Sequence, residues 1–323
     1  MKPQRGAAIL TAMLTVVLVA SLASATLWQQ WRAVEVEAAE RSRVQSAWIL
    51  NGALDWARLI LREDGRKGGA DHLAEPWAVP LAQARLSSFL AADRSDAIEA
   101  DAAQEAFLSG QITDLQSRLN VANLVQGGAI DAPSALAFTR LFELLDLPET
   151  ELILMLEKLR LAQGAPAVAA APLDAPDTAS TVLWPQTIDQ LAWLGLSARS
   201  IAVLRPFVTV LPVRTPVNLN TAPAEVIYAC VEGFDLADAD RLVRGRNATH
   251  LAALSDASKL SGKTDAQFDA ARHSVSSRFF EVRGTLRIDQ ATTQEQSVVQ
   301  RDGLDVKTLS RQRGVVGATP TLQ

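Results

Sequence analysis

GAAILTAMLTVVLVASLASATLWQQW, residues Gly6–Trp31, runs for 26 residues without a charge between Arg5 and Arg32. As a helix it would span about 39 Å at about 1.5 Å per residue, more than the roughly 30 Å hydrocarbon core of a bilayer. Lys2 and Arg5 precede it with no acid among them. The positive-inside rule therefore puts the amino terminus in the cytoplasm and everything after Trp31 across the membrane. Trp28 and Trp31 fit an aromatic belt at the far interface. The competing reading is a cleaved secretory signal, with Ser21-Leu22-Ala23 or Ala23-Ser24-Ala25 as the small-residue cleavage site and a mature start near Thr26.

The pattern does not stop at Trp31. Ala47, Leu50, Leu54, Ala57 and Leu61 keep a 3,4,3,4 spacing, Ile49, Ala53, Trp56 and Ile60 run beside them, and Asn51, Asp55, Arg58 and Arg62 form an opposite polar line. One long helix from about Ala7 to about Arg62 accounts for both halves, the first apolar all round and the second amphipathic.

Composition narrows the rest. The 323 residues carry 31 Lys+Arg against 36 Asp+Glu, a net charge of −5, so the sequence-independent attraction to phosphate that nucleic-acid binders use is missing. Apolar residues make up 48% and charged ones 21%, enough to build a core rather than a disordered chain. Cys230 is the one cysteine, which excludes an intrachain disulfide and a cysteine-based zinc site. His72, His250 and His273 are too scattered to suggest a histidine-based one.

A short basic leader ending in Gly6, followed by a small residue that opens a long half-apolar helix, resembles the type IV pilins and pseudopilins. The resemblance implies that Met1–Gly6 is a leader cut between Gly6 and Ala7 by prepilin peptidase, which also methylates the new amino terminus. Two departures stand out: the mature chain would begin with Ala7 rather than Phe or Met, and the usual carboxylate four residues later is Thr11. In the family that acid pairs with a neighbouring amino terminus during assembly, so a subunit without it is suited to cap a filament rather than repeat within it. Alternatively, Thr11 is simply a tolerated membrane-helix residue.

Within that group the missing acid and the chain length resemble the minor pseudopilin K family of type II secretion. Four further segments carry the likeness: Glu75-Pro76-Trp77-Ala78, Gly110–Gln116, Leu119–Leu124 and Val217–Pro223. The resemblance implies a pseudopilus-tip subunit that partners minor pseudopilins I and J, with minor pseudopilin H and the major pseudopilin below. It implies no enzyme activity and no nucleic-acid partner. The expected location is the inner membrane, single-pass, with a periplasmic body. It also allows calcium on acidic loops. The run Asp93, Asp96, Glu99 and Asp101 lacks EF-hand spacing and reads as a solvated helix face, so no metal ligands are assigned.

After the long helix, residues 63–70 read as a glycine-bearing turn and Ile112–Leu115 as a short strand. Helical faces follow at Phe138, Leu141, Phe142 and Leu145, then at Leu152, Leu156 and Leu159. Ala162–Thr181 is Ala/Pro-rich and reads as a loop. Thr187–Phe207 reads as two short helices broken by Gly195. Thr221 and Asp235 are placed to cap helices. Phe280, Val282, Gly284, Leu286 and Ile288 alternate with polar residues, predicting a strand with one buried and one wet face, paired with Gln296–Arg301.

The expected fold is α+β and pilin-like: a long N-terminal helix on a small antiparallel sheet, interrupted by a large helical insertion. In residues this gives a leader at 1–6, a transmembrane half-helix at 7–31, a first pilin-like part at 32–125, a helical insertion at 126–275, C-terminal strands at 276–303 and a polar tail at 304–323.

Other motifs argue for little. Ser261-Gly262-Lys263-Thr264 ends like a phosphate loop, but Ala257 stands where its first glycine belongs. Asp71, His72 and Glu75 read as capping groups on a loop anchored by Trp77. The runner-up function is a membrane-anchored DNA receptor, with a helix-hairpin-helix module starting at Asn218–Pro223. Arg241, Arg244 and Arg246 favour it; Asp235, Asp238 and Asp240 oppose it.

Overall fold

The computed structural model describes residues 5–86, 106–164, 182–263, 268–288 and 291–315, with side chains from Ile9 onward. Most of the leader, the acidic run at 93–101, most of the Ala/Pro-rich stretch and the last eight residues lie outside these.

Helix α1, Arg5–Lys67, is 63 residues long, roughly 95 Å at about 1.5 Å per residue. It runs past the expected end near Arg62 and takes in most of the expected turn at 63–70. Every side chain from Ile9 to Arg41 is exposed. Beyond that point Leu50, Leu54, Ala57 and Leu61 are buried, as their spacing predicts.

They rest on an antiparallel sheet of five strands: β1 (Leu81–Arg85), β2 (Ala106–Asp114), β3 (Phe279–Ile288), β4 (Ala291–Asp302) and β5 (Asp305–Val315). Spatial order follows chain order. Leu54, Ala57 and Leu61 pack with Trp77, Ile112, Phe280, Val282, Val299 and Val306. Each fully buried leucine of this set contributes about 1.5–3 kcal/mol. Gly110 of β2 pairs with Gly284 of β3, and a Cβ on Gly284 would sit 3.2 Å from Leu50 Cδ2, so the helix lies close against the strands there.

Two sequence expectations change here, and α1 makes a contact that its own pattern does not announce. The stretch read as a polar tail supplies β5, which pairs with β4 from Thr293↔Val315 to Asp302↔Asp305. Its polarity reflects an edge position, where Lys307, Arg311 and Arg313 are the usual deterrent to stray strand pairing. Part of the polar line of α1 also reaches this strand, although Asp55 and Arg62 stay exposed. Arg58 Nε and Nη2 donate to Val306 O at 3.0 and 2.8 Å, Arg62 Nε donates to Leu304 O at 3.1 Å, and Arg311 Nη1 donates to Asn51 Oδ1 at 2.6 Å. Finally, the face of β3 expected to be wet is covered at its start: Phe279 and Glu281 are buried, because the helical part lies over that end.

The helical part fills the chain between β2 and β3. Its helices are α2 (Ala132–Leu144), α3 (Glu149–Gly164), α4 (Ala198–Leu204), α5 (Ala224–Cys230), α6 (Leu236–Ala248) and α7 (Ser255–Ser261). The segment before Gly195 is a 3-10 helix, Ile188–Leu194. One core joins them, with Phe138, Leu141, Phe142, Leu152 and Leu159 at its centre. Asp235 caps α6 as expected, accepting from Asp238 N at 2.8 Å.

Candidate assembly surface and domain junction

The first half of α1 is built for a solvent other than water. Apolar side chains cover it all round, and the polar ones close on their own backbone. Thr15, Ser21 and Thr26 donate to carbonyls three residues back, and Ser24 to one four residues back, at 2.8–2.9 Å. Such bonds satisfy hydroxyls that lipid cannot. Thr11 stands on this half, where no residue from Ile9 to Trp31 is ionisable. The Gly6–Ala7 bond lies in the first turn of α1. Trp28 and Trp31 sit together, ring centroids 5.5 Å apart. Ion pairs begin just beyond: Glu37 with Arg41 at 3.1 Å and Glu40 with Arg43 at 3.6 Å. Val44 and Trp48 remain uncovered, Trp48 at 73% exposure.

The sheet and the helical part meet on buried polar groups. Asp114, at the end of β2, is 2% exposed. Its Oδ2 accepts from Ser277 Oγ at 2.6 Å, Thr221 Oγ1 at 2.6 Å and Asn218 Nδ2 at 3.0 Å, and its Oδ1 from Gln116 N at 2.7 Å. Burial pushes its carboxyl above the ordinary range; the Ser277 and Thr221 hydroxyls and the Gln116 amide pull it back. Thr221 thus does not cap α5, which starts from Pro223 without a side-chain cap. Its hydroxyl is turned to Asp114 instead, a stronger partner because it is a buried carboxylate.

The Asn-rich segments find a mechanism here. Asn123 donates to Thr215 O at 2.7 Å and accepts from Thr215 N at 3.0 Å. Asn220 treats Leu251 the same way, both bonds at 2.9 Å. A side-chain amide carries the donor and acceptor of a peptide group, so each asparagine clips a remote stretch of backbone as a strand would.

Beside the junction lies a cluster from α1, the 71–77 loop and β4. Arg301 Nη1 donates to Asp64 at 2.5 Å, and Arg301 also bonds Asp71 and the Ser277 carbonyl. Glu75 Oε2 accepts from His72 N at 2.9 Å and Trp77 Nε1 at 2.8 Å, which ties the loop to Trp77 as expected, but Glu75 does not cap the short helix at Pro76–Ala78 and Asp71 is turned to Ser277 N and Arg301 instead. Burial, with help from Asp64, pushes the Glu75 carboxyl up to about 7. Asp64, Asp71 and Glu75 offer oxygens within 4.8 Å of one another, a donor set that suits calcium in kind. It does not fit the ion in this arrangement, because the Arg301 guanidinium already supplies the positive charge between Asp64 and Asp71. His72 stacks on His250 of the helical part, centroids 3.9 Å apart, and burial lowers its pKa, which favours the neutral ring.

Around the α5–α6 hairpin Arg244 is exposed, while other basic groups are tied to neighbours. Arg241 pairs with Asp238 at 2.9 Å, Lys263 bonds Asp238 and Gly233 O, and Arg246 is buried. Arg241 is thus neutralised by Asp238 although exposed, Arg246 is withdrawn, and the DNA-receptor reading finds no support in the family matches.

A long apolar helix standing clear of an α+β body whose sheet is split by a helical insertion defines a pilin-like subunit. Two family profiles described as "Type II secretion system (T2SS), protein K" match, one over residues 117–213 and the other over 217–276. Type II secretion system protein K of Pseudomonas aeruginosa PAO1 is 26% identical over 342 residues, covering 97% of this chain and 94% of that protein. Among solved structures, a chain of the GspK-GspI-GspJ complex from enterotoxigenic Escherichia coli superposes with a TM-score of 0.65 at 18% identity, over 85% of this chain and 98% of that one. Over residues 117–213 and 217–276 the chain is thus similar to the type II secretion system protein K family, and the matches support a minor pseudopilin of that export machine.

Proposed function

We propose that this subunit sits at the tip of the pseudopilus, where it starts and caps the filament and has no catalytic role. The exposed run Ile9–Trp31 carries the membrane part of the reading: an apolar helix that no other described residue covers must find lipid first and other helices afterwards. The N-terminus is then cytoplasmic and the body periplasmic, by the Lys2 and Arg5 asymmetry. The solved relative forms a complex with GspI and GspJ. Minor pseudopilins I and J are accordingly the proposed neighbours of α1, with H and the major pseudopilin beneath. Val44 and Trp48, uncovered above the membrane, are suited to helix contacts there. Thr11 removes the acid that an internal subunit would use, and the body stands where a further subunit would stack.

Prepilin peptidase would cut between Gly6 and Ala7. Mass spectrometry of the chain purified from cells should find an amino terminus at a methylated Ala7. A start near Thr26 would replace this account with an ordinary secretory signal.

A further inference from the structure

Between the outer face of the sheet and the helical part lies a cleft of about 170 Å³, separate from α1 and from the Asp114 junction. Arg118, Arg205 and Arg283 all line it. Two of the three are already matched. Arg283 Nη2 donates to Glu281 at 2.7 Å, and that carboxylate also accepts from Gln296 at 2.8 Å. Arg205 is tied to Asp189.

Arg118 differs. It is half-buried, Glu281 and Asp114 attract it while Arg283 and Arg205 repel it, and among the described residues its guanidinium makes no hydrogen bond or ion pair. Burial lowers its pKa, the sign of a charge deprived of water without a full replacement. A guanidinium offers five donors in a flat fork, and none of those of Arg118 is spent on a described residue, which leaves them open to a ligand from the cleft.

We propose that this cleft is a binding site for a carboxylate carried on a short apolar stem, with Arg118 as its fork. The formal charge of the lining, three arginines against Glu281 and Asp189, leaves one positive charge, which suits one carboxylate better than a dianion. Leu115, Val208 and Val298 line the same space and would take the stem. A planar acid meets the fork through two parallel bonds. Such an acid could be the end of a polypeptide or an Asp or Glu side chain. The assignment stands apart from the filament role and does not depend on it.

The test is a titration of the full-length protein in uncharged micelles, following the arginine Nε–H signals by NMR. Butyrate should shift the Arg118 signal saturably, whereas butyramide and inorganic phosphate should not. Followed on the Arg283 signal, butyrate affinity should fall about tenfold in Arg118→Gln and less in Arg118→Lys. Acetyl-Leu-Val with a free carboxylate and acetyl-Leu-Glu-amide separate the two sources, and saturable binding of either supports the site. Equal responses to butyrate and butyramide, a stronger response to phosphate, or unchanged butyrate affinity in a folded Arg118→Gln protein would each overturn it. The wild-type comparison of acid with amide decides the matter even where a variant fails to fold.

Discussion

At the scale of single residues, the body is joined through Asp114. Four donors converge on one buried carboxylate: Asn218 and Thr221 come from within the helical insertion, Ser277 from beyond it and Gln116 from next to β2. Asp114→Ala would strand these donors at about 1–3 kcal/mol each where water does not reach them, for a loss of roughly 3–5 kcal/mol. Asp114→Asn should lose less, since the hydroxyls of Ser277 and Thr221 can reverse, although the Asn218 amide cannot. Chemical denaturation of the three proteins checks the order; an Asn variant as weak as the Ala variant would contradict it. Glu75 makes a pH prediction. Its carboxyl titrates at about 7 in the fold against 4.5 ordinarily, so the fold holds this proton more tightly than the unfolded chain does. That contribution is complete below about pH 4.5 and is lost as pH rises to about 7. Thermal melts of Glu75→Gln against wild type should therefore show a gap that widens in favour of the variant from pH 4.5 to 7.5. A constant gap would exclude the shifted proton.

At the scale of elements, α1 and β5 show what periodicity can reveal and what it cannot. The buried face of α1 was legible because Leu50, Leu54, Ala57 and Leu61 repeat at helical spacing. Its polar line also ties down the sheet edge, because Arg58 and Arg62 donate to β5 carbonyls, and no local pattern announces such a partner. The strand itself was missed for a related reason: an edge strand with Lys307, Arg311 and Arg313 has the composition of a tail. The same contact makes Gly65 sensitive. A Cβ there would lie 2.7 Å from the Gly303 carbonyl oxygen, in the turn from β4 to β5. Gly65→Ala gains about 1 kcal/mol in helix propensity, but the collision with backbone costs about 1–3 kcal/mol. A lower melting temperature is the expected outcome, and a higher one would show that the turn yields.

At the scale of the whole molecule, the architecture is a peg and a split body. The α+β class, the anchor and the sheet interrupted by helices were all legible from hydropathy, period changes and the order of the family-like segments. The junction was not. Asp114 and Thr221 lay in segments singled out for resemblance, but their contact joins residues a hundred positions apart. Nor could spacing show that Arg301 would fill the space among Asp64, Asp71 and Glu75. The family matches and the fold support a minor pseudopilin, and the proposed tip position rests on Thr11. Gold-labelled antibody against the helical part, applied to sheared pseudopili, tests that position directly. The account predicts a single label at one end of each filament, and labels spaced along the length would contradict it.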